Sequence, residues 1–230
     1  YEFVAPVIGD TDYLLDVGCG EGWGAEILSE RTCFVTGIDI DGFSFNFDNP
    51  PDGVHLREGD ICDAPYINSC FTIITCFDVL EHVVEPAKAM KEMYRLLKPG
   101  GKLYLTTPNG RTWREKGMCR FHIDEYPPEL VNKWAVEAGF SLMGLFSQVG
   151  TGYTDRLQKS GVLHWIMRFK RKFGVDWNLM PKALRNVMHF ILSGRKPNEV
   201  PVYKFLNISD WINSLESVQA EEPLFVFKKF

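Results

Sequence analysis

Short apolar runs alternate with longer amphipathic ones along most of the chain. Tyr13-Leu14-Leu15-Asp16-Val17 is apolar and ends in glycines, which predicts a buried strand. Cys33 to Ile38 repeats that character and ends at Asp39, and Val54 to Arg57 is a weaker strand ending in Glu58-Gly59-Asp60. Phe71 to Phe77 and Lys102 to Thr107 are β-rich. Between those two, Pro86 suits a first-turn position, and Met90, Met93, Tyr94 and Leu97 recur at helical spacing until Lys98-Pro99-Gly100-Gly101 stops the helix. A second helix is predicted from Pro127-Pro128-Glu129, with Leu130, Val131, Trp134, Ala135 and Ala138 on one face and Gly139 as its C-terminal cap. Phe140 to Phe146 is another strand. Strands joined by helical crossovers predict an α/β fold, a mostly parallel sheet with helices on both faces.

The last third changes character. Between residues 150 and about 205, Trp165, Ile166, Phe169, Phe173, Trp177, Leu184, Val187, Met188 and Ile191 lie among basic residues, which predicts two or more amphipathic helices. Pro197 and Pro201 punctuate the exit, Ile208 to Leu215 reads as a short helix, and Leu224-Phe225-Val226-Phe227 as a closing strand.

Composition narrows the class without naming a function. A chain of 230 residues with 45% hydrophobic and 24% charged positions can bury a core without metal or disulfide staples. The net charge of −5 gives no global reason to bind nucleic acid. Cys19, Cys33, Cys62, Cys70, Cys76 and Cys119 form no C-x-x-C pair, so reduced core thiols in a cytoplasmic protein are expected. No apolar run is long enough to span a bilayer and no signal-peptide pattern is present, so no stable membrane insertion is expected; the absence of a methionine before Tyr1 suggests a trimmed leading segment.

The chemistry gathers at the predicted strand ends. Asp16-Val17-Gly18-Cys19-Gly20-Glu21-Gly22-Trp23-Gly24 follows the first strand and opens a helix, where glycines let backbone approach a ligand and helix-end N–H groups are free to bind it. A dinucleotide fingerprint would want a third glycine where Trp23 stands. Asp16 beside the loop would repel a pyrophosphate and suits a ligand with an ammonium or sulfonium centre. Asp39 ends the second strand, where a carboxylate can accept both hydroxyls of a ribose, and Asp60 ends the third, where carboxylate and backbone can read an adenine edge. Each acid taken singly could equally cap a turn. All three converge on the crevice where open α/β sheets bind ligands.

These residues resemble the motifs of class I S-adenosylmethionine-dependent methyltransferases. Leu15-Asp16-Val17-Gly18-Cys19-Gly20-Glu21-Gly22 is similar to the family's first motif, Gly37-Ile38-Asp39-Ile40 to its second-strand motif, and Gly59-Asp60-Ile61 to its adenine-contacting one. Phe77-Asp78-Val79-Leu80-Glu81-His82-Val83 resembles the fourth-strand motif, and Leu97 to Leu103 the approach to the fifth strand. Phe121-His122-Ile123-Asp124-Glu125-Tyr126, before a helix and Gly139-Phe140, is similar to small-molecule and saccharide O-methyltransferases. The resemblance implies a Rossmann-like seven-stranded sheet with an antiparallel last strand. It implies a single domain: a cofactor-binding core over 1–149, a helical lid or insertion over 150–220 between the last two strands, and a closing strand over 221–230. It implies S-adenosyl-L-methionine as cofactor and S-adenosyl-L-homocysteine as product, with Asp16, Gly18, Cys19, Gly20, Asp39, Ile40, Asp60, Ile61 and Phe77 around them. One departure from the family is Gly42 to Pro51, breaker-rich where a second helix is usual.

The expected reaction is O-methylation of a small molecule or saccharide. Phe77-Asp78-Val79-Leu80 lacks the Pro-Pro-aromatic run of the adenine and glutamine N-methyltransferases. In-line transfer from a sulfonium needs positioning, and a hydroxyl acceptor also benefits from a base. His82 and His122 are the candidates for that role, each with the alternative of ordering a helix start or a loop. Glu81 reads as a helix-start residue or a histidine partner, Asp78 as structural, and Cys19 and Cys76 as small core hydrophobes. No metal is expected, because Asn109 with Asp124 is too thin a ligand set. The basic face of Trp165 to Phe173 reads as a packed lid in preference to a lipid- or phosphate-meeting surface. Two other functions fit parts of the pattern: a nicotinamide-dependent reductase, and a non-catalytic cofactor-binding regulatory module.

Overall fold

The apolar runs become strands that pair in the order β3-β2-β1-β4-β5-β8-β6-β7. Their ranges are β1 Leu14–Val17, β2 Val35–Asp39, β3 Val54–Glu58, β4 Phe71–Phe77, β5 Leu97–Thr106, β6 Ser141–Gln148, β7 Tyr203–Leu206 and β8 Pro223–Lys228. The computed structural model describes residues 1, 3–41, 53–111, 122–148, 203–206 and 223–230. All of them belong to the unit formed by Tyr1–Gln148 and Tyr203–Phe230.

β1 to β5 are mutually parallel where they pair, β8 runs antiparallel between β5 and β6, and β6 therefore points the same way as the first five. This is the expected seven-stranded mixed sheet. The chain moves outward from β1 through β2 and β3 on one side, then returns to place β4 against the other side of β1. That reversal leaves a crevice at the C-terminal tips of β1 and β4, the usual ligand position in such sheets.

Successive residues of a strand face opposite ways, and the core divides accordingly. Leu14, Val35 and Ile73 pack with Ala25 and Leu28 of helix α1 (Trp23–Ser29) on one face. Leu15, Ile38 and Ile74 pack on the other with Met90 and Met93 of α2 (Pro86–Leu96) and Val131 and Ala135 of α3 (Pro128–Ala138). Both α2 and α3 start on proline, as their sequences predict.

Gly139 ends α3 at φ 108°, and a Cβ there would stand 2.8 Å from Tyr94 Cζ. Gly139→Ala should therefore lower stability by about 1–2 kcal/mol through backbone strain and crowding. Urea unfolding with an unchanged m value would show it, and a midpoint equal to the parent's would contradict the assignment.

Two features depart from the sequence pattern. Helix α2 stops at Leu96, and Lys98-Pro99-Gly100-Gly101, read from sequence as the stop, instead lies inside β5, where the register against β4 shifts after Leu97 pairs with Phe71. The strand starts early because the chain's last residues supply a partner: Gly100 N–H donates to Lys229 O at 2.7 Å, and Lys229 N–H returns to Gly101 O at 3.0 Å. Second, the 150–220 stretch expected to be helical contains β7, which pairs antiparallel with β6 and adds an eighth strand at the sheet edge. The Trp165–Phe173 face, the short helix at Ile208–Leu215, the breaker-rich Gly42–Pro51 segment and Cys119 lie outside the described residues. The other five cysteines carry free thiols, and no described helix is long and apolar enough to cross a membrane.

Candidate active site

The glycine loop is tied to the tip of β2 before any ligand is considered. Gly18 and Cys19 N–H both donate to Ile38 O, at 2.8 and 3.3 Å. Gly18 has φ 69°, and a Cβ on it would lie 2.3 Å from Val79 Cγ2, so the Val79 side chain after β4 packs directly on the loop backbone. The Gly20 N–H donates to Asp39 Oδ2 at 2.9 Å, and no heavy atom stands within 4 Å of a Cβ built on Gly20. The loop thus presents bare backbone to open space at Gly20. Cys19 turns its sulfur inward, against the space a Cβ at Gly37 would fill. Burial pushes its thiol up, so it remains protonated and offers only backbone to a ligand.

Asp39 is held from both sides, with Oδ1 accepting from Asp41 N–H at 3.0 Å and Oδ2 from Gly20. Each carboxylate oxygen keeps a further lone pair for a hydroxyl donor. Beside it Ile40 is 73% exposed, an apolar platform at a strand tip that nothing described in the protein covers. Gly59 N–H donates to Asp39 O at 2.8 Å and joins the tips of β2 and β3. Asp60 is exposed and caps the short turn Ile61–Asp63 by accepting from Cys62 N–H at 2.8 Å, so the capping role weighed from sequence is real for one of its oxygens. Ile61 itself is buried below the tip.

Asp16 differs from its sequence reading. It is fully buried, and its oxygens accept from Thr75 Oγ1 at 2.6 Å and from the Tyr1 hydroxyl at 3.2 Å. Burial raises its pKa from 3.8 to about 7, against the lowering effect of the Thr75 and Tyr1 bonds. A ligand cation reaches Asp16 directly only if the Tyr1 hydroxyl moves. Tyr1 also packs edge-on against Phe77 and Trp23, with centroids 5.0 and 5.4 Å away, which sets Phe77 in an aromatic wall over the loop. No motif marks Tyr1 or Thr75. Thr75 is the register partner of Asp16 across the β1–β4 pair, which only the strand alignment reveals.

At the tip of β4 a second group of side chains collects. Asp78 adopts φ 55° and accepts from Thr106 Oγ1 at 2.9 Å. Crowding by surrounding protein raises its carboxyl pKa although the side chain is open to solvent, as expected for a group standing in a crevice; the Thr106 bond and the nearby His122 and His82 oppose that rise. The two imidazoles meet edge to face at 5.0 Å. His82 is exposed, whereas Glu81 beside it is buried and accepts from Thr107 Oγ1 at 3.0 Å. Ile123 N–H donates to Glu81 O at 2.7 Å, which docks the His122 loop onto this turn. His122 Nδ1 lies 2.8 Å from Oε1 of Glu125, itself fully buried. Glu125 is a partner that the sequence reading did not name, and its signal was the three-residue spacing from His122. One ligand atom each from Glu81, His82 and His122 fall within 4.8 Å of one another.

A family model for a methyltransferase domain matches residues 15–105, a span that holds the glycine loop, all three acids and the β4 tip. A probable S-adenosylmethionine-dependent methyltransferase of Mycolicibacterium smegmatis is 28% identical over 149 residues, 62% of this chain and 58% of that protein. A ubiquinone biosynthesis O-methyltransferase of Coxiella burnetii is 36% identical over 102 residues, covering 42% and 44%. The chain spans about half the length of the curated relatives it matches. Among solved structures, the [4+2]-cyclase SpnF superposes with a TM-score of 0.61 at 18% identity, covering 99% of this chain and 79% of its own, a likeness of fold.

Proposed function

We propose that this chain is a class I S-adenosylmethionine-dependent methyltransferase, as the methyltransferase-domain match over residues 15–105 and its curated relatives support, and that it moves the cofactor's methyl group to a hydroxyl of a small molecule, with a sugar or carrier-linked saccharide as the preferred acceptor. The reading rests above all on Asp39, a carboxylate clamped by the Gly20 and Asp41 N–H groups beside an uncovered apolar platform at Ile40. In this reading Asp39 accepts the ribose hydroxyls, Ile40 underlies the adenine, and Asp60 with the Ile61 N–H reads the adenine edge. Gly18, Cys19 and Gly20 form the backbone floor, Phe77 lines the methionine end, and Asp16 acts there through Tyr1. The cofactor supplies an electrophilic methyl on sulfur. A C–O bond forms as the C–S bond breaks, a neutral thioether leaves, and the acceptor proton goes to solvent.

His82 and His122 stand at the β4 tip, and we assign them the catalytic work on the acceptor side, lowering the cost of ionising its hydroxyl. The O-methyltransferase name of the Coxiella burnetii relative supports oxygen as the methylated atom. The net charge of −5 favours a small acceptor over nucleic acid, and the reduced thiols suit the cytoplasm.

Thermal shift and calorimetric titration test the cofactor assignment. S-adenosylhomocysteine at a hundredfold excess over its Kd should add about 2.7 kcal/mol of stability, and nicotinamide dinucleotides should add none. Asp39→Ala should weaken S-adenosylmethionine at least roughly tenfold, the loss of about one charge-assisted hydrogen bond. Undiminished binding in that variant, or preference for the dinucleotide, would remove the assignment.

A further inference from the structure

We propose that Glu81, His82 and His122 hold a divalent first-row transition ion at the acceptor end of the crevice, and that the acceptor hydroxyl binds to it. This rests on the methyl-transfer reading above and specifies how the two histidines serve it. One carboxylate and two imidazoles are a ligand set suited to such ions, and three protein ligands leave coordination positions for a substrate oxygen.

The geometry carries the proposal beyond the residue types. Three ligand atoms within 4.8 Å of one another come from two segments far apart in sequence, joined by the Ile123 N–H bond to Glu81 O. Closure around an ion at ordinary bond lengths of about 2.0–2.2 Å needs only a small inward turn of these side chains. The two less exposed ligands are each oriented by an outer partner. Glu125 Oε1, fully buried, sits 2.8 Å from His122 Nδ1 and leaves Nε2 as the coordinating nitrogen. Thr107 Oγ1 donates to Glu81 Oε2 at 3.0 Å and so orients the carboxylate. Outer carboxylate–histidine pairs of this kind fix the tautomer and raise ligand basicity. The third ligand, His82, is the exposed one, so the open coordination positions lie toward solvent and the incoming acceptor.

The ion would act as a Lewis acid. The acceptor hydroxyl binds through oxygen and releases its proton to solvent. The resulting oxygen anion forms the C–O bond as the C–S bond of the sulfonium breaks, and neutral S-adenosylhomocysteine leaves.

The test uses the full chain, stripped with chelator and dialysed, then titrated with Zn²⁺ by calorimetry and with Co²⁺ by visible absorption. One equivalent of either ion should bind, with d–d bands from mixed nitrogen and oxygen ligation. His82→Ala, at an exposed position, should weaken Zn²⁺ at least tenfold, and His122→Ala likewise. Glu125→Gln should weaken it roughly tenfold to a hundredfold. S-adenosylhomocysteine affinity, measured in parallel, should not change in His82→Ala. Absence of stoichiometric metal binding in a parent protein that still binds S-adenosylhomocysteine overturns the metal site alone. Metal binding that survives both histidine changes also overturns it, because the ion then sits elsewhere. A parent that binds the metal but not S-adenosylhomocysteine overturns the methyltransferase reading on which the site's role depends.

Discussion

Asp16→Asn is expected to make the unliganded protein more stable above pH 7 while weakening its hold on a cationic cofactor. Burial raises the Asp16 pKa from 3.8 to about 7 in the folded state, so the native protein favours the protonated carboxyl. The stabilisation from that proton is complete below about pH 4, where folded and unfolded chains both carry it. It declines as pH rises toward 7 and is gone above 7, because the unfolded chain gives up the proton first. At about 1.4 kcal/mol per pKa unit, the ionised carboxylate costs the apo fold roughly 4 kcal/mol at pH 8. Asparagine keeps an acceptor for Thr75 and carries no such cost. Urea unfolding of parent and variant between pH 4 and 8.5 should give curves that meet at the acid end and diverge upward through neutrality. Parallel curves would mean that Asp16 is not buried as described. Binding runs the other way, since a cation favours the ionised carboxylate; above pH 7 the variant should bind S-adenosylmethionine more weakly than the parent.

Gly18→Ala should cost the fold roughly 2–4 kcal/mol. A positive φ costs a side chain about 1 kcal/mol, and the added Cβ meets Val79 Cγ2 at 2.3 Å, an overpacking of about 1–3 kcal/mol. Val79→Ala opens that space. The double variant should therefore regain the crowding part and keep the backbone part, and a double-mutant cycle would measure the coupling. Additive losses would show that loop and β4 tip do not touch. Because the same loop bears Gly20, which holds Asp39, cofactor affinity should fall along with stability in the single variant and recover in part in the double.

The legible and the hidden parts of this site differ in kind. Gly18, Gly20, Asp39 and Asp60 were readable because each stands at a strand end, a place that a run of apolar residues and a following breaker reveal locally. The buried state of Asp16 was not readable, since it depends on Thr75 across the β1–β4 register and on Tyr1 folding over the loop. Glu125 is hidden for a related reason: its spacing from His122 is plain, but its complete burial, which makes the pair a fixed unit, comes from packing.

Local rules therefore determined the elements. Periods of two and of about three and a half residues separate strands from helices, proline starts α2 and α3, and carboxylates at strand tips predict a nucleoside-binding crevice. Tertiary structure decided which side chains meet. It placed β7 on the sheet edge, drew Lys98 to Gly101 into β5 by offering Lys229 as a partner, and set Glu81 and His82 against His122. The physical reason is range. Hydrophobic period and turn chemistry act over a few residues, whereas Asp16 and Thr75 are separated by 59 and meet only when strand register and the burial of both sheet faces are satisfied together.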